Sequence, residues 1–207
     1  MFEVIRSCDR RKCAGKRLDL SGSLLVWNTG FRFMRMKEVA VSADEIEIRR
    51  FVPSDESGVL ALILPIQREE FDIAITAEDQ PDLKAISVFY QTGAGDFWVA
   101  VQGERVIGSI ALKDIGSGHA ALRKMFVAAP FRGREFSVGA RLLDCLIKQS
   151  TLRGVTDIFL GTTDKFLAAH RFYEKHGFRE IVKEALPASF PLIAVDSKFY
   201  LLELSAE

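Results

Sequence analysis

The chain has 207 residues, 48% of them hydrophobic, enough to bury the core of one ordinary domain. Lys plus Arg and Asp plus Glu each number 28, and this zero formal charge argues against nucleic acid or an anionic membrane as the main partner. No run approaches the ~20 apolar residues of a membrane span, the first thirty residues lack a signal-peptide core, and Cys8, Cys13 and Cys145 form neither a disulfide framework nor a zinc set.

Taken in chain order, residues 1–44 show no persistent periodicity and carry nine basic against five acidic residues. They read as an N-terminal extension, flexible or following a start assigned too early, and residues 45–207 read as the folded domain. "EIEIRRF" alternates as a strand should, and "PSDES" starts a helix that Pro65 should end. "PDLKAISVFYQTG" (81–93) predicts a second helix, with Gly93 just past its end. Three strands follow, "FWVAVQ", "RVIGSIAL" and "AALRKMFV", the first two joined through Gly103-Glu104. Val138, Leu142, Leu143, Leu146 and Ile147 mark one face of a helix closed by Gly154, with Cys145 on its apolar side. "VTDIFLGTT" is a largely apolar strand, "KFLAAHRFYEKHG" a helix closed by Gly177, and "FREIVKEAL" and "SKFYLLEL" are the last strands. The order β-α-α-β-β-β-α-β-α-β-β makes a mixed α/β (α+β) layer architecture.

The stretch "FRGREFSVGARLLDCL" (131–146) joins a strand to a helix. The first N–H groups of a helix lack internal partners, and its dipole adds positive charge, so a phosphate fits there. Arg132, Gly133, Arg134 and Gly139 suit that use; an ordinary turn with Ser137 as a right-handed N-cap fits the spacing equally well. Two motifs extend the reading. "MFVAAPFRGREFSVGARLL" resembles the acyl-CoA signature of the GNAT acetyltransferases, Arg/Gln-x-x-Gly-x-Gly/Ala after a strand, with Ser137 in place of the first Gly. "FLAAHRFYEKHGF" resembles the family's second signature, Ala-x-x-x-Phe/Leu-Tyr-Glu-Lys-x-Gly-Phe.

The resemblance implies a mixed, mostly antiparallel central sheet, helices on both faces, and strands splayed at a cofactor slot. It implies acetyl-CoA as co-substrate, with no metal. The diphosphate would lie against Arg132, Gly133, Arg134, Glu135, Phe136, Ser137, Val138, Gly139 and Ala140. Met125, Phe126 and Val127 would flank the pantetheine arm, with Phe166, His170, Tyr173 and Lys175 on the second helix. Tyr173 matches the family's general acid, which protonates the departing thiolate; a core-packing Tyr is the alternative. Many relatives carry a Glu near the position of Ala121, and no acidic residue occurs in "HAALRKMFV". His119, Asp114, Glu69 and Glu70 are the substitutes considered, and the base is left unassigned.

Arg123, Lys124 and His119 are the substrate-side candidates; Arg123 and Lys124 either hold a substrate carboxylate or snorkel from a strand end. "FDIAITAEDQPDL" (71–83) is a candidate substrate wall, its Glu78-Asp79 pair suited to a cationic acceptor. The implied function is cytoplasmic acetyl transfer to a primary amine of a small molecule, with amino acids among the candidates and a homodimer an allowed assembly. Acetylation of protein N-termini or lysines, and non-catalytic acyl-CoA sensing, are the alternatives.

Overall fold

The computed structural model describes residues 45–164 and 167–204, so the extension expected over 1–44 lies outside the described residues. The elements are β1 (Ile46–Arg50), α1 (Glu56–Pro65), α2 (Ile86–Phe89), β2 (Asp96–Gln102), β3 (Arg105–Gly116), β4 (His119–Val127), α3 (Val138–Leu152), β5 (Asp157–Thr162), α4 (Leu167–Lys175), β6 (Arg179–Ile181) and β7 (Lys198–Glu203). Seven strands form one open sheet in the order β1-β2-β3-β4-β5-β7-β6. Every neighbouring pair is antiparallel except β4 with β5, and α3 supplies the crossover that a parallel pair needs. This is the mixed, mostly antiparallel sheet expected.

Packing follows the apolar periodicity. Val138, Leu142, Leu143 and Leu146 of α3 are fully buried against the sheet. Gly108 on β3 lets α3 lie close, since a Cβ there would come within 3.0 Å of Leu142 and 3.1 Å of Val138. One polar knot is built into this layer. The fully buried Asp96 carboxylate accepts hydrogen bonds from Arg50 Nε, Gln91 Nε2 and Arg153, tying β1, β2 and the C-terminal end of α3 together.

The first α-helix ends at Pro65, as expected, and the chain continues through a wider turn of π type at Ile66–Glu70. Two elements depart from the sequence expectation. The second helix shrinks to Ile86–Phe89, because the segment before it is held as turns by side chains. Thr76 N–H and Oγ1 donate to Asp79, and Asp82 accepts from Tyr90 Oη. The strand read in "FREIVKEAL" ends at Ile181, and Lys183–Ala185 form a 3-10 turn instead.

Candidate active site

β4 and β5 pair only at one end, His119–Ala121 against Asp157–Phe159. From Leu122 onward no ladder bond joins them, so the sheet opens as a fork. A bulge in β4 sits at the branch point: Ser109 faces Phe126 while Ala111 faces Arg123, leaving one extra residue on β4. Lys124 takes it up with φ of 51°, a left-handed conformation costing a non-glycine residue roughly 1 kcal/mol. That strained residue is held from two sides, its carbonyl by Ser109 Oγ at 2.8 Å and its ammonium by Gln80 at 2.7 Å and Asp82 at 3.1 Å. A bulge also turns two successive side chains toward one face.

The loop after β4 and the face of α4 enclose a cavity of about 200 Å³. Met125, Val127, Arg132, Gly133, Arg134, Ser137, Gly139 and Ala140 line one side, and Tyr173 and Lys175 the other. Ala169, Phe172 and His176 also line it and were missed in the sequence. They repeat with Tyr173 at i, i+3, i+4 and i+7, so the helical period alone would have found them. Tyr173 is buried, and its Oη donates to Met125 Sδ at 3.7 Å.

The loop itself is built differently from the sequence expectation. Ser137 is not a right-handed N-cap: its φ and ψ are 49° and 29°, and its Oγ donates to Arg134 O at 3.0 Å, away from the helix N–H groups. The position therefore demands the left-handed turn that glycine adopts freely, and Ser fills it at some strain. The first N–H groups of α3 have no carbonyl one turn earlier, and two of the residues that carry them, Gly139 and Ala140, line the cavity. Gly133 has φ of 97° with nothing within 4 Å of where a Cβ would stand, so the mouth of the cradle is unobstructed.

Other predicted residues fall elsewhere. Phe126 and Val138 are buried in the hydrophobic core. Phe136 packs on Phe131 at 5.4 Å between ring centroids, and Glu135 is exposed. His170 is buried, with Nε2 on Thr163 O at 2.9 Å. Phe166 lies outside the described residues. Arg132 lines the cavity, yet its guanidinium is bound in a two-pronged pair to Glu70 at 2.6 and 2.7 Å and by Val127 O at 2.7 Å. It shapes the loop, and Glu70 is thereby occupied as an ion-pair partner.

The remaining base candidates are no better placed. Asp114 caps backbone N–H groups of Ala94 and Gly116, and Glu69 is exposed. His119 stands 3.6 Å from Asp157 at the closed end of the fork, six residues or roughly 20 Å along the strand from Met125.

On the sheet face covered by segments 66–85 and 186–197 lies a second polar cluster. Neither Arg123 nor Lys124 snorkels. Lys124 is 7% exposed, and burial lowers its pKa while Asp82 resists that shift. Gln67 and Gln80 bond each other at 2.8 Å, and Tyr90 Oη donates to Asp82 at 2.6 Å. Burial, then the adjacent Asp82 charge, holds the Tyr90 phenol well above its ordinary pKa. Arg123 reaches Pro191 O at 3.2 Å, while its Nε is buried without a partner. Glu78 and Asp79 are spent on Lys84 and Thr76 in their own exposed loop.

A family model described as "Acetyltransferase (GNAT) family" matches residues 60–178, more than half of the chain. The chain belongs to that family. Among solved structures, an acetyltransferase of the GNAT family from Staphylococcus aureus Mu50 is 38% identical with a TM-score of 0.72, covering 77% of this chain and 99% of its own. An acetyltransferase from Streptococcus agalactiae is 31% identical with a TM-score of 0.73, at the same coverage. Among curated proteins, the zebrafish (Danio rerio) N-acetylaspartate synthetase is 33% identical over 102 residues, 48% of this chain and 36% of that protein. The GNAT chain thus spans about a third of the length of that relative. Among the described residues no helix is long and apolar enough to cross a membrane.

Proposed function

We propose that this GNAT chain is an acetyl-CoA-dependent N-acetyltransferase acting on a primary amine of a small molecule, with amino acids the favoured class. The observation that carries the reading is the cavity of about 200 Å³ between the loop after β4 and α4, lined by Met125 and Val127 in the part of β4 beyond its pairing with β5. The residues present fit an acyl-CoA. Free N–H groups at Gly139 and Ala140 would hold the diphosphate with Arg134, and Met125 and Val127 would flank the pantetheine arm. Bound there, acetyl-CoA supplies an acyl group already activated as a thioester. The similarity to N-acetylaspartate synthetase supports an amino acid as acceptor.

The protein's own part is positioning and proton supply. Tyr173 lines the cavity with its Oη beside Met125, where its O–H can donate to a departing thiolate. Burial pushes the Cys145 thiol pKa up and leaves it on α3, away from the cavity lining, which suits direct attack by the amine with no acyl-enzyme. The reading places the reaction in the reducing cytoplasm, where such a thiol stays free.

Thiol release from acetyl-CoA, measured against a panel of primary amines including the amino acids, tests this. The expected result is release that depends on one class of amine, with the N-acetyl product seen by mass spectrometry. Saturable CoA binding without turnover on any amine, protein N-termini included, would replace the reading by an acyl-CoA sensor.

A further inference from the structure

We infer that the crevice over the fork of β4 and β5 is an α-amino-acid site, in which the Arg123 guanidinium takes the carboxylate and the Asp196 carboxylate takes the ammonium. The inference rests on the transferase reading above and names the acceptor of that same site. Three buried side-chain polar atoms among the described residues have no hydrogen-bond partner: Arg123 Nε, Asp196 Oδ1 and Thr162 Oγ1. A buried polar atom left unsatisfied is destabilising, so each calls for a partner. Two of the three carry opposite charges, and the Arg123 charge acts on Asp196.

Their seats are defined by the strands. Continuing the β4–β5 register past Ala121 and Phe159 would set Arg123 opposite Gly161, at the point where the strands have parted. Asp196 fills the room above Gly161, its Oδ2 lying 2.6 Å from where a side chain would begin. Oδ2 accepts weakly from Ile193 N–H at 3.4 Å, while Arg123 Nη1 is fixed on Pro191 O of the same loop. The two atoms that a direct ion pair would join, Nε and Oδ1, are those left unpartnered. A partly buried cation and anion with unpartnered atoms complement a zwitterion, with an Arg fork for its carboxylate and a carboxylate for its ammonium.

Lys124, the neighbouring cation, is excluded from this role because Asp82 and Gln80 already occupy its ammonium. Burial is the largest effect on Asp196 and raises its pKa, with the Ile193 N–H and then Arg123 among the groups that oppose the shift. One ammonium proton passes to Oδ1, leaving a neutral amine with a free electron pair and a carboxylic acid that returns the proton to solvent.

The test is calorimetric titration of the CoA-loaded protein with each of the twenty proteinogenic L-amino acids and with the α-amide of any that binds. At least one amino acid is expected to bind, and its α-amide to bind at least ~30-fold more weakly, as loss of a buried charge partner dictates. Asp196→Asn should weaken the amino acid by a similar factor. Arg123→Gln should abolish the discrimination between acid and amide. CoA affinity, unchanged in both variants, reports that they fold. Equal binding of acid and amide by the wild type, or unchanged amino-acid affinity in both variants, overturns the inference. CoA binding with no amino-acid binding overturns it while leaving acyl transfer to other amines standing; failure to bind CoA refutes the transferase reading itself.

Discussion

Replacing Tyr173 by Phe separates chemistry from architecture, because the structure gives the hydroxyl almost nothing structural to do. Its recorded partner is Met125 Sδ at 3.7 Å, a weak acceptor, whereas the ring packs against Phe172, Phe178 and Tyr200 with centroids 5.4 to 6.1 Å away. Removing the oxygen strands no strong partner, so stability should change by less than about 0.5 kcal/mol, or under ~2 °C in melting temperature. Catalysis should respond very differently. A positioned proton donor contributes ~10²–10⁴-fold, equivalent to roughly 3–5 kcal/mol in the barrier. Steady-state thiol release should therefore show kcat lowered by at least about 100-fold, with the KM for acetyl-CoA and the melting temperature nearly unchanged. A kcat within about threefold of wild type would refute the assignment of proton donor to Tyr173. A fall of more than ~5 °C in melting temperature would show that the hydroxyl is structural after all.

Two further expectations follow from the loop and from the core. Ser137→Gly should keep or tighten CoA affinity, since glycine adopts φ near 49° without strain, whereas Ser137→Val should weaken it at least ~10-fold; calorimetry that finds the two variants alike would remove the left-handed turn from the account. Asp96→Asn should lower the melting temperature by about 6–12 °C at pH 7, from roughly 3 kcal/mol for uncoupling Arg50 and Arg153, which keep partial access to water. Burial alone would raise the Asp96 pKa, but Arg153, Arg50, the Phe97 N–H and Gln91 outweigh it and the net shift is downward. Its contribution is therefore complete above about pH 4 and is lost as pH falls through the lower folded value, so melting curves of wild type and variant should converge in acid.

Motif and period made most of the cofactor side legible. A strand followed by closely spaced glycines and a helix start forces exposed N–H groups, and the spacing of Ala169, Phe172, Tyr173 and His176 forces a common face. The handedness of Ser137 was not legible, because Ser is also a good N-cap and the residue type permits both conformations. The acceptor side was largely hidden for a different reason. Lys124 acquires its meaning from Gln80 and Asp82, and Arg123 from Pro191 and Asp196, partners more than forty residues away that only the folded sheet brings together. Asp196 sits in a Pro-containing loop, where an acidic residue reads as a solvated turn. The short α2 was hidden likewise: apolar residues at Leu83, Ile86 and Tyr90 satisfy a helix, but the Asp82–Tyr90 hydrogen bond accompanies turns up to Ala85.

The central claim is that one cavity brings an acyl-CoA sulfur to Tyr173 at the fork of β4 and β5. A crystal structure of the complex with CoA measures it directly. The account predicts the diphosphate on the N–H groups of Gly139 and Ala140, the pantetheine arm alongside Met125 and Val127, and the sulfur within hydrogen-bonding reach of Tyr173 Oη. A CoA bound elsewhere, or one whose sulfur lies beyond reach of Tyr173, would contradict it.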